Sequence, residues 1–335
     1  MMLRLLCICA AITVLACSAW ASPADLVRKA YSAEKSAVYT GTLSNSVFLR
    51  GQAERSSVTM YRLRDKSRMD YTSGPMLGSV VIDNGSSVCR LDKLSQTVYV
   101  AAPPPSPDNV KLLLTNYNAV PLGTESVAGR KAHIIRLEPR MPGNPKAKLW
   151  IDTASGIVLQ NERYLHNGKL ATRSVFTTIK FASTLPASLF SLPKQWKTVR
   201  IDADTPSVTA SKLRGEVGFD PLKPSYLPRG YAFYGHFKRY TGSGKPAAVL
   251  KYTDGLNSIT VFERMSGIGT GGKGQGRGLG RRWRRGGTGP ATGRGQCIMR
   301  SDLQAEVAEI EVKGIIVTVT ADIDPKQLRQ IAESF

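Results

Sequence analysis

The chain has 335 residues, of which 42% are hydrophobic. That is enough for two ordinary domains and excludes a chain too poor in apolar residues to build a core. Basic residues outnumber acidic ones by 46 to 25, a formal net charge of +21. Such a chain is drawn to anionic surfaces, but charge alone does not choose among nucleic acid, lipid and acidic glycan.

The N-terminus sets the compartment. One cation, Arg4, precedes an apolar run from Leu5 to Ala16, and Ala19-Trp20-Ala21 ends the stretch as an A-x-A cleavage signal. Residues 1–21 therefore read as a secretory signal peptide, too short for a spanning helix with its flanks. The mature protein is expected outside the cytoplasm, in a periplasm or an equivalent space. A second processing route competes. "VLAC" at 14–17 resembles a lipobox, which would make Cys17 a lipidated N-terminus, although Leu15 fits poorly where a small residue is usual. No later run reaches the ~18 apolar residues of a membrane helix. Beyond the signal region only Cys89 and Cys297 remain, and they read as unpaired thiols rather than a disulfide framework.

The mature chain opens on a helix, with Ser22 and Asp25 as a capping box, Pro23 in the first position, and Leu26, Val27, Ala30 and Tyr31 as the apolar stripe. From about 37 to 182, strand follows strand, rich in Val, Ile, Thr and aromatics, with tight turns at Asn84-Gly85, Ala154-Ser155-Gly156 and Asn167-Gly168. A Pro-rich loop at 101–109 cannot join a ladder, and "VKLLLTNY" after it reads as a short helix. A sheet of about nine strands must curl or close. The expected fold class is α+β and mostly antiparallel β: a large unclosed half-barrel over residues 22–195, with both helices on its concave face. Residues 196–215 read as a polar linker. A small C-terminal α+β domain follows at 216–335. Its hairpins turn at Asp254-Gly255 and Lys313-Gly314, and its last helix is capped by Asp324 and begun by Pro325.

The stretch "LLLTNYNAVPLGTESVAGRKAHIIRLEPR" and the hairpin "LWIDTASGIVLQ" resemble the N-terminal domain of the RseB/MucB sigma-E regulators, which is related in fold to the LolA lipoprotein carriers. "YLPRGYAF" and "YTDGLNSITVFE" resemble the matching C-terminal domain. The resemblance covers residues 24–335 apart from an insert at 267–297. It implies a half-barrel that holds acyl chains of a lipid or lipoprotein, and a C-terminal domain that contacts a membrane-anchored anti-sigma factor. A lipoprotein carrier or envelope biogenesis factor without a sigma pathway is the alternative. The chemistry fits an acyl ligand, since each buried methylene contributes ~0.8 kcal/mol. Candidate lining residues are Phe48, Met60, Met69, Tyr71, Leu113 and Tyr117, each of which also suits an ordinary core.

No catalytic or metal signature is legible, and the reading calls for no enzyme activity and no cofactor. There is no G-x-S-x-G elbow, C-x-x-C or H-E-x-x-H. His133, His166 and His236 sit in strand or turn contexts without a carboxylate or cysteine at ligand spacing. Asp152 and Asp254 fall at hairpin turns, where Asp serves through side-chain to backbone hydrogen bonds.

The insert at 267–297 carries thirteen glycines, seven basic residues and no acidic one. Its "GIGTGGKG" matches two nucleotide motifs, yet no helix pattern follows to hold phosphates, and Gly274 stands where a phosphate loop needs Ser or Thr. Arg281, Arg282, Trp283, Arg284 and Arg285 suit contact with an anionic membrane surface, with Trp in the headgroup layer. An RGG-like polyanion or nucleic-acid segment is the other functional reading, disfavoured by the compartment, and a solvated loop joining two strands is the plain one.

Overall fold

A computed structural model describes residues 22–49, 52–101, 110–201, 205–207, 209–241, 244–266, 297–302 and 305–335. The signal segment, Cys17 and the basic run Arg281–Arg285 lie outside the described residues.

The first helix, α1 (Pro23–Ser36), begins as its capping box dictates. Ser22 Oγ accepts the Asp25 N–H at 3.1 Å and donates to the Asp25 carboxylate at 2.7 Å. Its stripe buries Val27 and Ala30. Six strands follow: β1 (Val38–Leu49), β2 (Gln52–Leu63), β3 (Lys66–Tyr71), β4 (Val80–Asp83), β5 (Val88–Asp92) and β6 (Thr97–Ala101). Helix α2 (Val110–Asn116) leads into β7 (Tyr117–Val127), β8 (Arg130–Pro139), β9 (Lys146–Asp152), β10 (Val158–Tyr164) and β11 (Leu170–Phe181). A 3-10 turn at Ala187–Phe190 precedes β12 (Lys197–Arg200).

These strands form one unclosed sheet in the order β12-β6-β5-β4-β3-β2-β1-β11-β10-β9-β8-β7. It has twelve strands rather than about nine. Every pairing in it is antiparallel except β12 with β6. Helices α1 and α2 pack together on one face through Val27, Ala30, Leu113, Tyr117, Ile135, Leu137, Ala147 and Ile151. The 3-10 turn covers another patch, where Phe190 meets Val80, Ile82, Cys89, Leu91 and Val98. Cys89 and Cys297 are both free thiols.

The polar segment at 196–215 is partly built rather than a plain linker. β12 pairs with β6, β13 (Thr205–Ser207) pairs with β14 (Ala232–Tyr240), and α3 (Ala210–Val217) is capped by the Thr209 side chain, which accepts the Lys212 N–H at 3.1 Å. Only Leu213 and Val217, four residues apart, are buried. So short a stripe leaves little pattern to read in a polar stretch.

The second sheet runs β13-β14-β15-β16-β19-β18-β17, with β14 (Ala232–Tyr240), β15 (Pro246–Thr253), β16 (Ser258–Met265), β17 (Ile298–Asp302), β18 (Ala305–Val312) and β19 (Ile315–Ala321). α3 and the terminal α4 (Pro325–Glu333) cover one face, closing a core around Leu213, Leu250, Ile259, Val317, Leu328 and Ile331. Lys313 and Gly314, at φ 50° and 77°, make the tight turn expected there.

An apolar groove at the junction of the two sheets

Register explains the floor of the groove. Ile135 pairs with Leu149, Leu137 with Ala147, and Leu149 with Asn161, so these side chains share one face of β8–β10. Helix α1 lies over part of that face and leaves an open groove of about 560 Å³ beside it. Ala30, Tyr31, Glu34 and Lys35 of α1 and Arg62 of β2 form one side. Leu137, Ala147, Leu149, Val158 and Asn161 form the floor, and Leu256 from the β15–β16 turn completes the lining. The volume falls within the usual range for small-molecule sites. Arg62 is fixed by two bonds, Nε and Nη2 donating to the Glu34 carbonyl at 3.2 and 3.0 Å. Burial pushes the Glu34 carboxyl above its ordinary range against the opposing pull of Arg62.

The turn that carries Leu256 is held by a polar clasp. Asp254 Oδ1 accepts the backbone N–H groups of Leu256 and Asn257 at 2.9 and 2.6 Å, the turn role expected of it. Its other oxygen, Oδ2, reaches the first sheet and accepts Tyr117 Oη–H at 2.8 Å and Asn144 Nδ2 at 3.1 Å. Asn116 Nδ2 donates to the carbonyls of Gly230 and Asp254 at 2.8 and 2.9 Å. Arg163 donates to Asn257 Oδ1 at 2.9 Å, and Asn257 Nδ2 in turn donates to Tyr231 Oη and the Asp322 carbonyl. Burial, then the Asp254 charge, drives the Tyr117 hydroxyl well above its ordinary pKa, so it stays a donor.

His166 belongs to the same junction. Its N–H donates to Asp322 Oδ1 at 3.0 Å, and its ring Nδ1 lies 2.9 Å from the same oxygen. The sequence marked no carboxylate partner for this histidine; the fold supplies one from 156 residues along the chain. His133 pairs within β7–β9, and the His236 ring lies 4.7 Å from that of Phe233. Asp152 accepts from Ser155 in its turn and pairs with Arg130 at 2.9 Å. Among the described residues no three His, Cys, Asp or Glu side chains gather as a metal site.

The six residues read as lining candidates fall in three places. Leu113 and Tyr117 are fully buried in the α1–α2 core. Met60 pairs with Met69, and Tyr71 with Val58, all on the β2–β3 ladder, and Met60 packs on the cluster around Tyr39 and Phe176. Phe48 pairs with Ala53 near the tip of the β1–β2 hairpin. None of the six lines the groove beside α1. Arg62, Asn161 and Leu256 do, and sequence reasoning missed them. Leu256 left a readable signal, because an apolar residue inside the turn "DGLN" is unusual where turns favour polar residues.

Fold and groove together define a class: a half-open antiparallel sheet with helices on one face, joined to a smaller α+β unit that helps to line its groove. Residues 79–196 match the MucB/RseB N-terminal domain, which bears out the resemblance read from the sequence over that stretch. No curated protein sequence is significantly similar to the chain. Among solved structures it is similar to MucB in the MucA/MucB complex of Pseudomonas aeruginosa, at 16% identity and a TM-score of 0.61, over 92% of this chain and 96% of that one. It is also similar to MucB in complex with MucA(peri), at 17% identity and 0.61 over 93% and 97%, and to MucB alone, at 16% and 0.54 over 94% and 98%. At these identities the likeness is one of fold, and it extends through both sheets.

Proposed function

We propose that the protein is a non-enzymatic, extracytoplasmic regulator of an envelope-stress sigma pathway. It senses lipids or lipoproteins by taking an acyl chain into the groove, and it engages a membrane-anchored anti-sigma factor through the C-terminal unit at 216–335. The observation that carries the lipid half is the groove itself, open at about 560 Å³ with a floor of Leu137, Ala147, Leu149 and Val158. An acyl chain of about sixteen carbons is held in a bilayer by roughly 12 kcal/mol, so a protein that takes one up must offer a continuous apolar surface. The partner half is supported by the fold shared with MucB, which has been solved together with MucA. The apolar run ending in Ala19-Trp20-Ala21 supports the extracytoplasmic half of the reading. The run Arg281–Arg285 extends the reading from sequence alone, as a contact with anionic membrane.

Pull-down from membrane extracts with the mature chain tests both halves. The regulator reading expects capture of a membrane protein with an extracytoplasmic domain, and its release when a long-chain fatty acid is added. Capture of no membrane protein, with fatty acid still bound, would leave a lipoprotein carrier as the better description.

A further inference from the structure

We infer that the tip of the β15–β16 hairpin is part of the acyl site. Leu256 supplies the wall that the second sheet contributes, so a bound chain and the docking of the second sheet on the first stabilise each other. The inference rests on the lipid-binding reading and adds how that site is coupled to the rest of the molecule.

The division of labour within the tip supports it. Asp254 and Asn257 make the polar bonds that hold the tip to Tyr117, Asn144 and Arg163. Leu256 makes an apolar contact with the α1–α2 core and faces the groove. The tip is seated down to backbone contact: Gly255 has φ +100°, and a Cβ there would lie 2.5 Å from Leu113 N. Turns favour polar residues, so an apolar Leu256 in this tip marks a contact beyond the closing of the hairpin.

The sign of the coupling follows from geometry. The groove is open with the tip in place, so a chain can enter the docked form. Undocking would remove Leu256 from the lining and expose that length of chain to water. A ligand with more contacts in one of two arrangements shifts the equilibrium toward it by its differential affinity, and the effect is reciprocal. Occupancy of the groove would thus be felt by the second sheet through four turn residues.

The test uses the full mature chain and the fluorescent fatty acid 11-(dansylamino)undecanoic acid. Binding is measured by titration, and the tip is followed by hydrogen exchange with and without the probe. The expected results are slower exchange at 254–257 with probe bound, and probe binding weakened about fivefold or more in Leu256→Ala. Tyr117→Phe, which keeps the ring and removes one clasp bond, should speed tip exchange and weaken the probe by a smaller factor. Equal probe binding in wild type and Leu256→Ala with unchanged tip exchange would overturn the inference and leave the lipid groove standing. Faster tip exchange with probe would overturn it by reversing the sign. Absence of probe binding in the wild-type chain would overturn the inference together with the lipid reading beneath it.

Discussion

Gly255 and Glu263 are two residues that their surroundings constrain closely. At Gly255 the left-handed backbone and the nearby Leu113 backbone both exclude a side chain. Gly255→Ala should therefore lower stability by about 1–3 kcal/mol, read by urea unfolding, and loosen the tip by hydrogen exchange. Glu263 is fully buried on β16, where Oε2 accepts the Leu222 N–H at 2.9 Å and Oε1 has no partner among the described residues. Burial pushes its carboxyl pKa up to about 8 from 4.5, against the opposing bond from Leu222. The folded form thus keeps a proton that the unfolded chain loses first, so stability falls as pH rises from about 4.5 to about 8. Thermal unfolding at pH 5 and pH 8 should show this loss in the wild type and a smaller one in Glu263→Gln; equal losses would contradict it. At this scale Asp254 was legible as a turn residue. Its second oxygen, which clasps Tyr117, was not, because the two lie 137 positions apart.

Elements were legible where local chemistry decides them. The capping box of α1, the cap and proline of α4, and the turns at Asp254-Gly255 and Lys313-Gly314 stand in the structure as their residues dictate. β12 was hidden because four polar-leaning residues, "KTVR", pair in parallel with a strand about 100 positions earlier, and no turn signal links them. The groove lining was hidden for the same reason: Arg62, Asn161 and Leu256 meet only after the strands are assembled. The basic stretch is an element known by composition alone. Each cation near an anionic surface is worth about 1 kcal/mol, so deleting 267–296 should weaken binding to phosphatidylglycerol vesicles markedly at low salt and less at high salt. Unchanged vesicle binding would leave that stretch as a solvated loop.

At the scale of the molecule, the described residues form two sheets that meet at the β15–β16 turn, where Leu256 lines an apolar groove and Asp254 and Asn257 bond to Tyr117, Asn144 and Arg163, with His166 bonded to Asp322 close by. That placement makes the second sheet more than an appendage: through Leu256 it contributes to the lining of the groove. The proposed occupant of the groove is an acyl chain. Native mass spectrometry of protein purified gently from membranes tests it most directly. The expected spectrum shows an additional mass matching a fatty acid or acylated lipid, lost on delipidation and restored by added fatty acid. Protein that carries no acyl species and takes none up when saturated with fatty acid would contradict it.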